Sequence, residues 1–115
     1  SMVYESLEAA KILDTLGVSA KVVNMHTLKP CDYNAIELAI SSSKAIITVE
    51  EHSIIGGLGS VIAEYKAQFS NSPAQLIIGL PDKFGKTAEY RYLLEKYRLV
   101  GEKIAEDIQN FLKKF

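Results

Sequence analysis

The chain has 115 residues, 48% of them apolar and 23% charged, a composition that suits one globular domain with a core of its own. Net charge is -1 and the nearest approach to a basic cluster is Lys113-Lys114, so there is no electrostatic case for nucleic acid or an anionic membrane. The lone cysteine, Cys31, can make neither an internal disulfide nor a Cys-rich zinc site, which favours an intracellular, cytoplasmic setting.

No apolar run approaches the roughly 18–20 residues that a membrane span needs. Glu5 and Glu8 stand where the apolar region of a signal peptide would lie. Val3, Leu7, Ala10, Leu13 and Leu16 recur at helical spacing, and Gly17 is placed to close that helix in a left-handed conformation. The run from Ala20 to Leu28, rich in β-branched and apolar residues, predicts a buried strand ended by Pro30. Asp32 is a fair N-cap for a helix from Tyr33 to Ser42, with Ile36, Ala39 and Ile40 inward. Ala45 to Glu50 is apolar on both faces, as a central parallel strand covered by helices would be.

Glycines follow, and then Leu58, Val61, Ile62, Tyr65 and Phe69 mark a helix broken at Asn71-Ser72-Pro73. Gln75 to Leu80 predicts a third strand. Tyr90 to Tyr97 predicts a short helix, and Ile104 to Phe115 a last one. The order α-β-α-β-α-β-α-α implies a three-layer α/β/α sandwich with a mostly parallel sheet, as a single domain over residues 1–115. Three strands behind an initial helix make a small sheet, so a first strand is expected to be missing from the front.

Thr48 to Ser60, TVEEHSIIGGLGS, is the most site-like stretch. Glycines that open a helix put unpaired N–H groups and a positive dipole end where phosphate or carboxylate could rest. The spacing is neither G-x-G-x-x-G nor a P-loop. A sharp strand-to-helix turn with close packing is therefore the plainer reading. Glu51, His52, Gly56, Gly57, Gly59 and Ser60 are the candidates for an anion-binding or interface surface. Glu51 and His52 are adjacent on a strand and should face opposite ways, so they are not expected to act as a dyad. His26 ends the first expected strand and could share the same rim, but two histidines without a third ligand make a poor metal site. Cys31 lacks the surroundings of a nucleophile. Tyr90, Tyr92 and Tyr97 could suggest stacking on bases, but two of them fit a core stripe and the charge argues against nucleic acid. No catalytic, cofactor or metal ligand is assigned.

HTLKPCD, AIITVEEHSIIGGLGSVIAE, GLPDKFG and LLEKYRL, in that order, resemble the C-terminal domain of transketolase-type thiamine diphosphate enzymes. That family includes transketolases, deoxyxylulose-phosphate synthases and the β-subunits of 2-oxo acid dehydrogenases. VEEH-x-x-x-GGLGS is the most specific part, and its histidine favours transketolase, with the synthase next. The resemblance implies an α/β/α sandwich in which a strand precedes the first helix, so the chain reads as a piece of a larger enzyme. It further implies that thiamine diphosphate and magnesium belong to N-terminal pyrophosphate and pyrimidine domains of that parent. This piece is then expected to bind no cofactor, to catalyse nothing alone, and to support those domains and a homodimer. The sequence departs from the family pattern at Cys31, Ala88, Arg98 and Gly101. Arg98 replaces a glycine in KYGL, and Gly101 stands where a Thr or Ser usually caps the last helix.

Overall fold

The computed structural model describes residues 2–25, 32–53, 55–80 and 90–115. In chain order these form α1 (Met2–Thr15), α2 (Tyr33–Ser42), β1 (Ala45–Ser53), α3 (Leu58–Lys66), β2 (Ala74–Leu80), α4 (Tyr90–Lys96) and α5 (Gly101–Leu112).

α1 ends as its sequence predicts. Gly17 takes φ +81°, its N–H donates to the Asp14 carbonyl, and the Val18 N–H donates to Leu13. This pair of bonds is the Schellman arrangement, which satisfies carbonyls the helix end would leave bare. α2 begins at Asp32, whose Oδ1 accepts from the Ala35 N–H at 3.1 Å.

β1 and β2 are parallel neighbours, paired Ala45 with Ala74 through Val49 with Ile78. Each face of this ribbon is covered. Ile78 and Leu80, with Ile47, Val49 and Leu76 beside them, pack against α1, α4, α5 and the turn between the last two through Ala9, Leu13, Leu94, Leu99, Ile104, Ala105 and Ile108. On the other face Ile46 packs with Ile36 of α2 and Ile62 of α3. Helices on both faces of a parallel sheet make the three-layer α/β/α arrangement. Leu13, Leu99 and Ile104 are the largest fully buried side chains among the described residues, and truncating any of them to Ala removes about 2–5 kcal/mol.

Two expectations need correction. Ala20–Met25 is not a strand, and among the described residues the sheet has two strands rather than three. A β-rich run becomes a strand only where a neighbour supplies a ladder, because its propensity is largely packing against that neighbour. Here Val23 is 51% exposed, and Met25 reaches only the edge of the α2/α3 cluster. The remainder of that run, with His26, and Cys31 beyond it, lie outside the described residues, as does Ala88. The second correction concerns Gly101. It is the first residue of α5 rather than its cap; Val100 is the N-cap and offers no side-chain bond.

Candidate functional site

The VEEH-x-x-x-GGLGS stretch is the end of β1, a turn, and the start of α3. Its regular pairing stops at Val49, which lies opposite Ile78; the next partnership is Ser53 with Leu80. More residues of β1 than of β2 fill the gap, so Glu50, Glu51 and His52 lie in a bulged segment. A bulge interrupts the ladder and bends the strand where it leads into the turn. Glu51 is half-buried, and His52 belongs to β1 by its backbone.

Glu50, absent from the candidate residues above, organises the site. It is 6% exposed and faces α3. Oε1 accepts from the Leu58 N–H at 2.6 Å, and Oε2 accepts from the Gly59 N–H at 2.9 Å. The first turn of a helix leaves its N–H groups without partners, and a carboxylate there also meets the positive end of the dipole. The cap residue itself, Gly57, has no side chain to do this. A carboxylate eight and nine positions upstream does it instead.

This contact accounts for the glycines one by one. A Cβ on Gly57 would run into Glu50 Oε1, so the residue is bare because the carboxylate needs the space. A Cβ on Gly59 would lie 2.7 Å from Ile77 Cγ2 and 2.8 Å from Thr48 Oγ1, so α3 rests directly on the sheet. Gly56 takes φ +77°, a left-handed conformation that glycine adopts freely, and its N–H donates to Ser60 Oγ at 3.0 Å. Gln75 of β2 donates from Nε2 to the Gly59 carbonyl at 3.0 Å. The Gly59 residue is thus held through its N–H by β1 and through its carbonyl by β2.

Sequence reading brings Gly56, Gly57, Gly59, Ser60 and Glu51 to one strand-to-helix joint, and the structure does the same. What it missed is Glu50, with Thr48 and Gln75 on the same face. The signal was present: Ile46, Thr48 and Glu50 alternate onto one face of β1, and a helix start bare of Cβ atoms needs something to fill the space.

Comparison with known proteins completes the picture. The family model of the transketolase C-terminal domain matches residues 1–104. The chain belongs to this family. The transketolase C-terminal domain of this chain is 45% identical, over 98% of its own length, to a 1-deoxy-D-xylulose-5-phosphate synthase of Dictyoglomus thermophilum, and covers 18% of that protein. It is 43% identical over 97% of its length to a protein of Methanocaldococcus jannaschii named as a transketolase C-terminal section, and covers 34% of it. A solved split-gene transketolase, described as an inactive β4 tetramer, superimposes with a TM-score of 0.84 at 38% identity, over 95% of this chain and 35% of that one. The chain therefore spans about a third or less of the relatives it resembles. No helix among the described residues is long and apolar enough to cross a membrane.

Enzymes of this family use thiamine diphosphate. The glycine loop at the start of α3 does not fit the diphosphate of that group. The N–H groups of Leu58 and Gly59 already hold the Glu50 carboxylate, whose charge would repel a diphosphate there. Among the described residues, no group of three or more His, Cys, Asp or Glu is placed to hold a metal ion.

Proposed function

We propose that this domain is the non-catalytic C-terminal part of a transketolase-like enzyme that moves two-carbon ketol units between sugar phosphates. Its work is assembly. It supports the N-terminal pyrophosphate and pyrimidine domains, where thiamine diphosphate and magnesium act, and strengthens a homodimer. The contact surface runs along Glu51, His52, Gly56, Gly57, Gly59 and Ser60. The observation that carries this reading is the family match over nearly the whole chain, combined with coverage of only 18–34% of the first relatives. A tetrameric neighbour of the same fold supports an assembling role.

A second reading is the C-terminal domain of a 1-deoxy-D-xylulose-5-phosphate synthase, favoured by the relatives of that name at 45% and 42% identity. A stand-alone module that holds a small anion at the glycine loop is disfavoured, because Glu50 occupies the donors such a module would use.

The test is calorimetric titration of the chain with thiamine diphosphate and magnesium, followed by a sugar phosphate. No heat is expected from either. Saturable binding or turnover would overturn the assembly reading. Joining the chain to the N-terminal sections of a transketolase and of a synthase, and asking which activity returns, separates the first two readings.

A further inference from the structure

We infer that Glu50 is a positioning residue: its carboxylate is the internal ligand of the α3 N-terminus and fixes the loop that carries the proposed contact surface. The inference deepens the assembly reading and rests on it for the loop's purpose, though not for the contact itself.

Three observations carry it. Both Glu50 oxygens are used, each on a separate N–H of the first turn, at 2.6 and 2.9 Å. The carboxylate is buried at 6% exposure, so water does not substitute for it. The lining of the turn is built for an occupant. Gly57 is cleared of a Cβ where the carboxylate lies. The Thr48 hydroxyl, 3% exposed and without a hydrogen-bond partner among the described residues, faces the same turn, 2.8 Å from where a Cβ on Gly59 would sit. The site has the chemistry of an anion cradle, and the chain fills it with its own side chain. An outside phosphate is therefore shut out, and the turn in which the Gly56 N–H donates to Ser60 Oγ is held in place.

The test is chemical rescue, read on the isotopically labelled chain by the amide resonances and hydrogen exchange of Leu58 and Gly59. In the unaltered chain, inorganic phosphate and formate are expected to leave both resonances where they are. In Glu50→Ala, exchange at both amides is expected to quicken at least about tenfold, the factor a lost charge-assisted hydrogen bond implies. The resonances of Glu51, Gly56 and Gly57 move with them. Formate, but not chloride at equal concentration, should return all of these saturably.

The inference is overturned if phosphate titrates Leu58 and Gly59 in the unaltered chain. It is equally overturned if folded Glu50→Ala ignores formate, or if Glu51, Gly56 and Gly57 do not move. Should Glu50→Ala fail to fold, Glu50→Gln keeps the shape without the charge. Faster exchange at both amides without formate rescue is then expected, and exchange equal to that of the unaltered chain overturns the inference. No partner protein is present in this experiment, so its failure leaves the assembly reading standing. That reading fails separately if Glu51→Ala and His52→Ala leave assembly with the N-terminal domains intact.

Discussion

Arg98 and Asp107 form a forked pair in which the guanidinium Nε lies 3.0 Å from Oδ1 and 3.1 Å from Oδ2. Nη2 of the same residue donates to Glu106 Oε1 at 2.6 Å. Arg98 is also the one non-glycine at positive φ among the described residues, at +63°. It closes α4 in the same Schellman arrangement that Gly17 gives α1: the Arg98 N–H donates to Glu95, and the Leu99 N–H to Leu94 at 2.6 Å. The arginine thus carries left-handed strain that glycine would not, and returns part of it through two acids on α5.

Substituting this residue should separate the two effects. Arg98→Ala keeps the strained backbone and loses the pairs. Arg98→Gly loses the pairs but relieves the backbone. The glycine variant is expected to be the more stable of the two by about 1 kcal/mol, measured by urea denaturation.

The same cluster sets a pH dependence. Hydrogen bonding to Arg98, then its charge and that of Lys103, holds the Glu106 carboxyl below its ordinary value of 4.5. A group whose pKa is lower when folded stabilises the fold above its unfolded value and loses that contribution as pH falls through its folded value. The Arg98 guanidinium, held above its ordinary value by hydrogen bonds to Asp107 and Glu106, stays charged throughout this range. The gap in urea midpoint between the unaltered chain and Arg98→Ala should therefore be present at neutral pH and shrink below about pH 4.5. A gap that widens in acid would contradict the pairing.

Gly57 and Glu50 compete for one volume, so their substitutions should not add. Gly57→Ala pushes its methyl group into the carboxylate and is expected to cost about 1–3 kcal/mol. Glu50→Ala leaves two N–H groups without their partner, at about 1–3 kcal/mol. The double variant has no carboxylate left to collide with. Its loss should fall short of the sum by at least about 0.5 kcal/mol in a double-mutant cycle. Simple additivity would show that the glycine is bare for another reason.

A second helix is capped from afar. Glu5 of α1, 6% exposed, accepts from the Gly101 N–H at the start of α5 through Oε1 at 2.8 Å, and Arg91 reaches its Oε2 at 3.4 Å. A Cβ on Gly101 would lie 2.7 Å from Glu8 Cβ and 3.2 Å from the Glu5 carbonyl oxygen. Gly101→Ala must therefore part α1 from α5 and is expected to cost about 1–3 kcal/mol. Gly17→Ala, where nothing lies within 4 Å, should cost only the left-handed penalty of about 1 kcal/mol. Thermal unfolding of the two variants gives the comparison.

Tyr65 stacks between Tyr33, at 4.6 Å between ring centroids, and Phe69, at 5.4 Å. Desolvation, followed by the charge and hydrogen bond of Glu37, raises its phenol above the ordinary value of 10.0. Ultraviolet titration of Glu37→Gln should move that phenol back toward the ordinary value while leaving the stacking contribution in place.

The parts of the fold that follow local rules were legible. Asp32 caps α2, Gly17 ends α1, and the two apolar runs at Ala45 and Gln75 pair as parallel strands. Arg98 was legible as a strained position because glycine is usual there. The two carboxylate caps were not. A local cap is sought at the residue before the helix, and Gly57 and Val100 offer no side-chain bond there. Glu50 and Glu5 act across a turn and across the chain, where no spacing rule reaches. Ala20–Met25 failed in the opposite way: its composition suits a strand, but composition supplies no partner. The joint between β1 and α3 was legible as a strand-to-helix turn and Glu50 as an acid at a strand end, but not the reach of its carboxylate to the N–H groups of Leu58 and Gly59.

The bond from Glu5 to Gly101 spans 96 positions and ties the first helix to the last. Closing so long a loop costs chain entropy before the α1–α5 contact returns anything, which places this docking late in folding. The β1–turn–α3 unit, closed over only eight or nine positions, can form first. α1 and α5 then work as a clasp on an already folded centre. A chain emerging residue by residue from the ribosome could hold its strand-to-helix joint well before it could complete its core.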